Sequence, residues 1–112
     1  MLDNYFNEIP VAITVSDIEG NIVYMNEKSA TVFEKYGGKA LLNSSLYNCH
    51  NSISQESIKQ MMKGNKTNAY TIEKNGVKKM IFQTPWCENN KVCGMVEFSF
   101  EIPFEMSHFI RS

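Results

Sequence analysis

The sequence predicts an α+β fold: a five-stranded antiparallel sheet, helices inserted between strands two and three, and a short N-terminal helix. Three stretches carry that expectation. Residues 11 to 25 place two short β-branched runs around the turn-forming segment Asp17 to Asn21. Residues 52 to 64 carry an apolar helical face. Residues 67 to 102 hold three apolar runs separated by Asn75-Gly76 and by Asn89-Asn90, and Asn-Gly between such runs is the strongest short hairpin signal.

Taken in order, Leu2, Tyr5, Phe6 and Ile9 share one face of a helix that must stop before Pro10. A helix this short is marginal in water and has to dock, either on its own domain or across a dimer interface. Val11 to Val15 forms the first strand, Gly20 supplies the positive φ of the turn, and Ile22 to Met25 forms the second strand. Asn26 stands where a helix N-cap belongs, with Glu27 adding a favourable charge to the first turn. That helix is expected over Asn26 to Tyr36, with Ala30 and Phe33 inward and Gly37-Gly38 as the stop. A helical turn around Leu41 and Leu42 follows, then a polar loop or broken helix from Tyr47 to Ser52. Ser52 and Gln55 have capping-box spacing, Ile58, Met61 and Met62 form an apolar face, and Gly64 suits the end of that helix.

In the last third, a two-residue turn at Asn75-Gly76 sets Glu73 opposite Lys78, Thr71 opposite Met80 and Ala69 opposite Phe82. A three-residue loop, Asn89 to Lys91, sets Phe82 against Phe98, Thr84 against Val96 and Met80 against Phe100; a two-residue loop would oppose Phe82 to Glu97. Since a one-residue slip exchanges the faces of a strand, the apolar match selects the longer loop. Tyr70, Ile72 and Ile81 remain on the other face, so both sides of the sheet need cover.

The pattern Asp17, Gly20, Ile22, Asn26 and Ala30 resembles the opening of a PAS domain, and the resemblance extends over residues 4 to 102. It implies a single sensor domain: residues 1–9 a flanking helix, 10–102 the PAS core and 103–112 a tail. The ending is similar to that of PAS domains, in which a glycine precedes an Asp-Ile-Thr that leads into an effector helix. Here Gly94 precedes Glu101-Ile102-Pro103, and the residues beyond hold no output domain, so any signal is expected to leave through a separate partner protein. Phe104, Met106, Phe109 and Ile110 would form an apolar tail.

The totals bound the function. One domain with a single core is expected of 112 residues that are 43% hydrophobic. Net charge is −1 and no basic block occurs, which argues against nucleic acid and against an anionic membrane surface. No apolar run is long enough to span a bilayer, and Asp3 and Glu8 replace the basic head of a signal peptide, so a cytoplasmic protein is expected. The 3 cysteines lack metal-ligand spacing. Neither a Ser/His/Asp order, nor paired carboxylates in an apolar stretch, nor a phosphate-cradling glycine loop appears, so no enzyme is expected.

PAS cavities lie between the inner sheet face and the inserted helices. By the registers above, the resemblance nominates Ile58, Met61, Met62, Met80, Phe82, Val96 and Phe98 as cavity lining, against the simpler account that they only fill the core. The 7 methionines suit either a malleable pocket or loose core filling. His50 lies in the region from which some PAS sensors supply an axial haem ligand, and Cys49 beside it offers a thiolate. The competing account is a loop histidine with no ligand; His108 is expected to be inert. Asn48-Cys49 is similar to the Asn-Cys-Arg core of flavin-binding photoreceptors, but His50 replaces the arginine and Met80 to Trp86 lacks an asparagine pair, which disfavours flavin. Glu97 and Glu101 are expected to point away from the cavity. Cys87 and Cys93 are expected as cross-strand neighbours on the face away from the core, either a redox pair or two small apolar side chains.

These expectations combine into a sensory PAS module that binds a small molecule or cofactor. It would dimerise through Leu2, Tyr5, Phe6 and Ile9 and signal through an unidentified partner protein. The alternatives are an interaction module with a closed core, and a haem sensor using His50.

Overall fold

In the computed structural model, described over residues 3–45 and 52–112, five antiparallel strands form one sheet in the order β2-β1-β5-β4-β3. The strands are β1 (Ala12–Asp17), β2 (Ile22–Met25), β3 (Asn68–Lys74), β4 (Val77–Glu88) and β5 (Lys91–Ile102). Helix α1 (Asp3–Phe6) precedes them. Helix α2 (Glu27–Val32), two 3₁₀ turns (Glu34–Tyr36 and Gly38–Leu41) and helix α3 (Ser52–Gly64) lie between β2 and β3. The α+β architecture is the one the sequence predicts.

The opening hairpin is held by its own side chains. Asp17 Oδ1 accepts from the backbone N–H groups of Glu19 (3.0 Å) and Asn21 (2.9 Å), and Gly20 takes φ 90° between them. The outer edge of β2 is closed by residues 43–45: Ile22 N–H donates to Ser44 O and Asn43 N–H to Ile22 O, each at 2.7 Å.

Helix α1 is shorter than predicted, and Ile9 lies outside it. Pro10 has no N–H to offer the carbonyl of Phe6 four residues back. Asn26 supplies the donor instead, its Nδ2 lying 2.8 Å from Phe6 O. The predicted helix over Asn26 to Tyr36 is likewise divided. It ends at Val32, and the chain continues as 3₁₀ turns through Gly37 (φ 118°) and Gly38 (φ 55°).

Both predicted hairpin registers are present, one of them for a different reason. Asn75 (φ 54°) and Gly76 (φ 78°) form the tight turn, and Glu73, Thr71 and Ala69 face Lys78, Met80 and Phe82. Between β4 and β5, Phe82 faces Phe98 and Met80 faces Phe100, as expected. The loop, however, is two residues: Asn89 (φ 52°) and Asn90 (φ 66°) make a left-handed turn closed by the Glu88–Lys91 pair. The offset that the predicted three-residue loop would have supplied comes from a β-bulge. Trp86 faces Gly94 while Cys87 faces Val92, so Cys93 is the extra residue. Cys87 and Cys93 are therefore not the cross-strand pair predicted; both thiols are free.

The largest correction concerns the faces of the sheet. Ile58, Met61 and Met62 of α3 pack with Met95, Ile22, Met25 and Leu41 in the core, and Thr14 reaches Ser29 of α2. With side chains alternating along each strand, the helix-covered face carries Thr14, Ser16, Ile81, Gln83, Met95, Glu97 and Ser99, all buried. Met80, Phe82, Val96 and Phe98 lie on the opposite face. Phe82 is 36% exposed and stacks at a tilt on Phe98, their ring centroids 6.4 Å apart. The physical reason is that Gln83 and Glu97 hydrogen-bond each other and Thr14 shares a hydrogen bond with Ser29, so a partly polar face is buried and hydrophobicity alone chose the wrong side. Beyond Ile102 no helix or strand follows, and Phe104, Met106, Phe109 and Ile110 are exposed.

Candidate functional site

Antiparallel pairing aligns one residue from each strand into a row across the inner face: Asn68, Gln83, Glu97, Thr14 and Met25. Four of the five are polar. Asn68 Nδ2 lies 3.4 Å from Gln83 Oε1, and Gln83 Nε2 donates to Glu97 Oε2 at 2.7 Å. Thr14 and Ser29 share a hydrogen bond between their hydroxyls. Glu97 is only 7% exposed and Gln83 3%, in a layer where charge is costly unless it is hydrogen-bonded.

The parallel row Tyr70, Ile81, Ser99 and Ala12 runs beside it. Above the two rows, Val32 and Phe33 at the end of α2 stand off from the sheet and leave a cleft of about 270 Å³. Its floor is Ile81, Glu97 and Ser99, and Tyr70, Ile72, Lys74 and Lys79 complete the lining. Burial, and secondarily the negative charge of Glu97, push the Tyr70 phenol above its usual value of 10.0. The phenol thus stays protonated beyond the pH at which a free tyrosine ionises and keeps its donor near the Glu97 carboxylate.

Asn26 fixes the position of α2 over this floor. Its Oδ1 accepts from Ser29 N–H (3.0 Å) at the helix start and from Ile13 N–H (2.9 Å) in β1. Its Nδ2 donates to Phe6 O and Val11 O. The side chain is fully buried and joins α1, β1 and α2. At the far end of the sheet Gly94 lets β5 close on β1, with Trp86 Nε1 donating to Ser16 O at 2.8 Å across it.

Of the residues nominated from sequence, Ile58, Met61 and Met62 are brought together in the core beside Met95, next to the floor rows. Met80, Phe82, Val96 and Phe98 are not brought to them. His50 and Cys49 lie outside the described residues, as does Leu2. Tyr5 is 73% exposed and Phe6 is also exposed. His108 sits in the exposed tail. Cys87 Sγ lies 3.9 Å from Asn65 Oδ1, and Cys93 Sγ 3.4 Å from Lys91 O.

Sequence reasoning missed Thr14, Gln83 and Ser99, and it placed Glu97 and Tyr70 on the face away from the cavity, where the structure has them on the helix-covered face. One signal was present: Gln83 and Glu97 are polar positions in the apolar middle of two strands, and the register that opposes Phe82 to Phe98 also opposes them to each other. Among the described residues no group of three His, Cys, Asp or Glu could hold a metal, and no helix is long and apolar enough to cross a membrane.

No family model matches the sequence, and no curated protein matches it. Solved structures do. The PAS domain of a protein from Colwellia psychrerythraea superposes with TM-score 0.64 at 18% identity, over 90% of this chain and 93% of that one. VqmA of Vibrio cholerae, solved bound to DPO, gives 0.72 at 12% identity over 92% of this chain and 57% of that one. The Aer2 receptor of Vibrio cholerae, a dual PAS-heme oxygen sensor, gives 0.62 at 13% identity over 83% and 95%. At these identities the likeness is one of fold. This chain has a PAS-like fold, a five-stranded antiparallel sheet with helices inserted between β2 and β3.

Proposed function

We propose that this domain is a sensory module which binds a small molecule in the cleft between α2 and the inner sheet face and passes the signal to a separate protein. The observation that carries this reading is the polar row across the sheet beneath Phe33. A core that only had to be filled gains nothing from a buried carboxylate and hydroxyl, Glu97 and Ser99, at the floor of an accessible cleft, whereas a binding site needs a few placed polar groups among apolar walls. Occupancy would bias the contacts of α2, and through Asn26 those of α1 and β1. The binding core is residues 10–102, and the module acts in the cytoplasm. Native mass spectrometry of freshly purified protein tests the reading: a retained small molecule, lost on denaturation, supports it. A bare mass, together with no thermal shift in Phe33→Trp, which narrows the cleft, counts against it.

A second reading has its own observation. The outer face presents Met80, Phe82, Val96 and Phe98, and Tyr5 and Phe6 are exposed on α1. An apolar sheet face and an apolar helix suit a homodimer through Leu2, Tyr5, Phe6 and Ile9, with protein contacts as the function. Closed packing of the cleft with an intact dimer would favour this reading.

A haem group fits the described residues poorly. The cleft floor carries a carboxylate where an apolar macrocycle would lie. Incubation with hemin, with His50→Ala as control, decides that point through the Soret band.

A further inference from the structure

The two edges of the sheet differ. β2 is closed by residues 43–45, whereas among the described residues no strand pairs with the free side of β3. β3 runs 7 residues, Asn68–Lys74, without proline, glycine or bulge, and all but Asn68 are exposed. Its charges, Glu73 and Lys74, stand at one end, so nothing blunts the middle of the edge. There Tyr70 is 46% exposed and Ile72 40%. The hairpin fixes which backbone groups are open. Lys74 and Val77 flank a two-residue turn and form a hydrogen-bonded pair, so by alternation Ile72 and Tyr70 also bond to β4. The N–H and C=O groups of Ala69, Thr71 and Glu73 therefore point to the free side.

We propose that this edge pairs antiparallel with β3 of a second copy, about a two-fold axis at Thr71, to join the two sheets into one. The strand is self-complementary in that register. Thr71 meets Thr71 of the second copy, Ala69 meets Glu73, Tyr70 meets Ile72 and Asn68 meets Lys74, so no like charges are opposed. The open backbone groups then form about six hydrogen bonds. On the inner face the two Tyr70–Ile72 pairs shield each other's apolar surface, and on the outer face the two threonine hydroxyls lie within reach. A shift of one residue sets open groups against groups already bonded to β4. A shift of two shortens the ladder and opposes Tyr70 to Lys74 or Ile72 to Asn68. Such an interface is isologous, and with β2 covered it closes at two subunits instead of growing. It is separate from α1 and from the outer face, and it does not depend on the cleft being occupied.

Amide hydrogen exchange of the full chain, read residue by residue over a dilution series and alongside sedimentation equilibrium, tests the pairing. The N–H groups of Ala69, Thr71 and Glu73 should exchange slowly in the dimer and quickly on dilution, while those of Tyr70 and Ile72 stay protected throughout. Thr71→Pro removes a donor that β4 does not use, and Thr71→Lys sets two cations against each other at the axis. Each should raise the dimer dissociation constant roughly tenfold or more. Thr71 is exposed, so Thr71→Lys should keep the far-UV dichroism of the parent, and it serves as the test if the proline variant fails to fold. A parent that stays monomeric overturns the proposal. So does a dimer whose Ala69, Thr71 and Glu73 amides exchange freely, or one that Thr71→Lys leaves intact. Protection of those amides in a monomer would place another segment of this chain on the edge, and overturns it as well.

Discussion

Gln83 and Glu97 face each other across β4 and β5 with the amide nitrogen 2.7 Å from the carboxylate, in the middle of the helix-covered face. The pair contributes to the tolerance of a charged residue there. A buried carboxylate is costly until its lone pairs are met, and a neutral donor meets one of them without introducing a second charge to desolvate. Replacing Gln83 by Met keeps the volume and removes the donor. Equilibrium urea unfolding should show a loss of about 1.5–3 kcal/mol, the usual range for a hydrogen bond to a charged group. The double variant Gln83→Met with Glu97→Gln should recover part of that loss, since no charge is then left behind.

Asn26 is the most heavily engaged polar side chain in the described structure, with two bonds accepted and two donated. Asn26→Ala removes an N-cap, worth about 1 kcal/mol, and also strands buried partners at about 1–3 kcal/mol each. Against a typical total of about 5–15 kcal/mol, that variant should lie close to unfolding. Asn26→Asp separates the parts. It keeps the acceptor for Ile13 and Ser29 but sets a carboxylate against the carbonyls of Phe6 and Val11. Hydrogen exchange should then rise at residues 4–9 while the β1–β2 hairpin remains protected.

Gly94 has no room for a side chain. A Cβ there would lie 1.9 Å from Ser16 O and 2.6 Å from Trp86 Nε1, and the first of these is backbone that cannot swing aside. Gly94→Ala should separate β5 from β1 locally and release the indole from Ser16 O. Trp86 is the single tryptophan, so the outcome is directly visible as a red-shifted emission together with a lower Tm. Trp86→Phe, by contrast, loses only the hydrogen bond and should cost about 1 kcal/mol beyond its smaller ring.

How much of this was legible beforehand follows from the kind of signal involved. The turns were legible because Asp17, Gly20, Asn75-Gly76 and Asn26 act through local backbone chemistry, which sequence carries directly. The β4–β5 register was legible because a slip would have opposed Phe82 to Glu97. The bulge at Cys93 was not, since an extra residue in the loop and an extra residue in the strand produce the same pairing. The face of the sheet was misassigned because Phe82 and Phe98 are more apolar than Gln83 and Glu97. Only the fold shows that Gln83 and Glu97 hydrogen-bond each other while α2 and α3 sit on that side. Ile58, Met61 and Met62 were placed on one buried face correctly, because helical periodicity does not depend on which side of a sheet is covered.

The Tyr70 phenol is held above its usual pKa of 10.0, first by burial and then by the Glu97 charge. A group whose folded pKa is raised stabilises the native state fully below the unfolded value. That contribution is lost as pH rises from the unfolded pKa through the folded one. Stability should therefore fall above pH 10, more steeply in the parent than in Tyr70→Phe. Tyrosinate absorbance should show one residue ionising late, and Glu97→Gln should shift that step toward lower pH by removing the second cause. An unmoved step would mean that burial alone holds the phenol neutral.

The exposed aromatic residues allow the last prediction. Tyr5 and Phe6 on α1, and Phe82 on the outer face, expose ring surface to water. If the outer face and α1 meet the same surfaces of a second copy, the interface is isologous and each substitution acts twice. Tyr5→Glu with Phe6→Glu should then convert a dimer to a monomer in light scattering. Phe82→Glu should do the same with little change in far-UV dichroism, because a residue already at the surface leaves the core intact. Dissociation by the helix pair but not by Phe82→Glu would confine the contact to α1. Dissociation by Phe82→Glu alone would make the sheet face the interface and leave α1 as a cap on its own domain. A mass unchanged in both variants, at a concentration where the parent is dimeric, would remove both surfaces from the assembly.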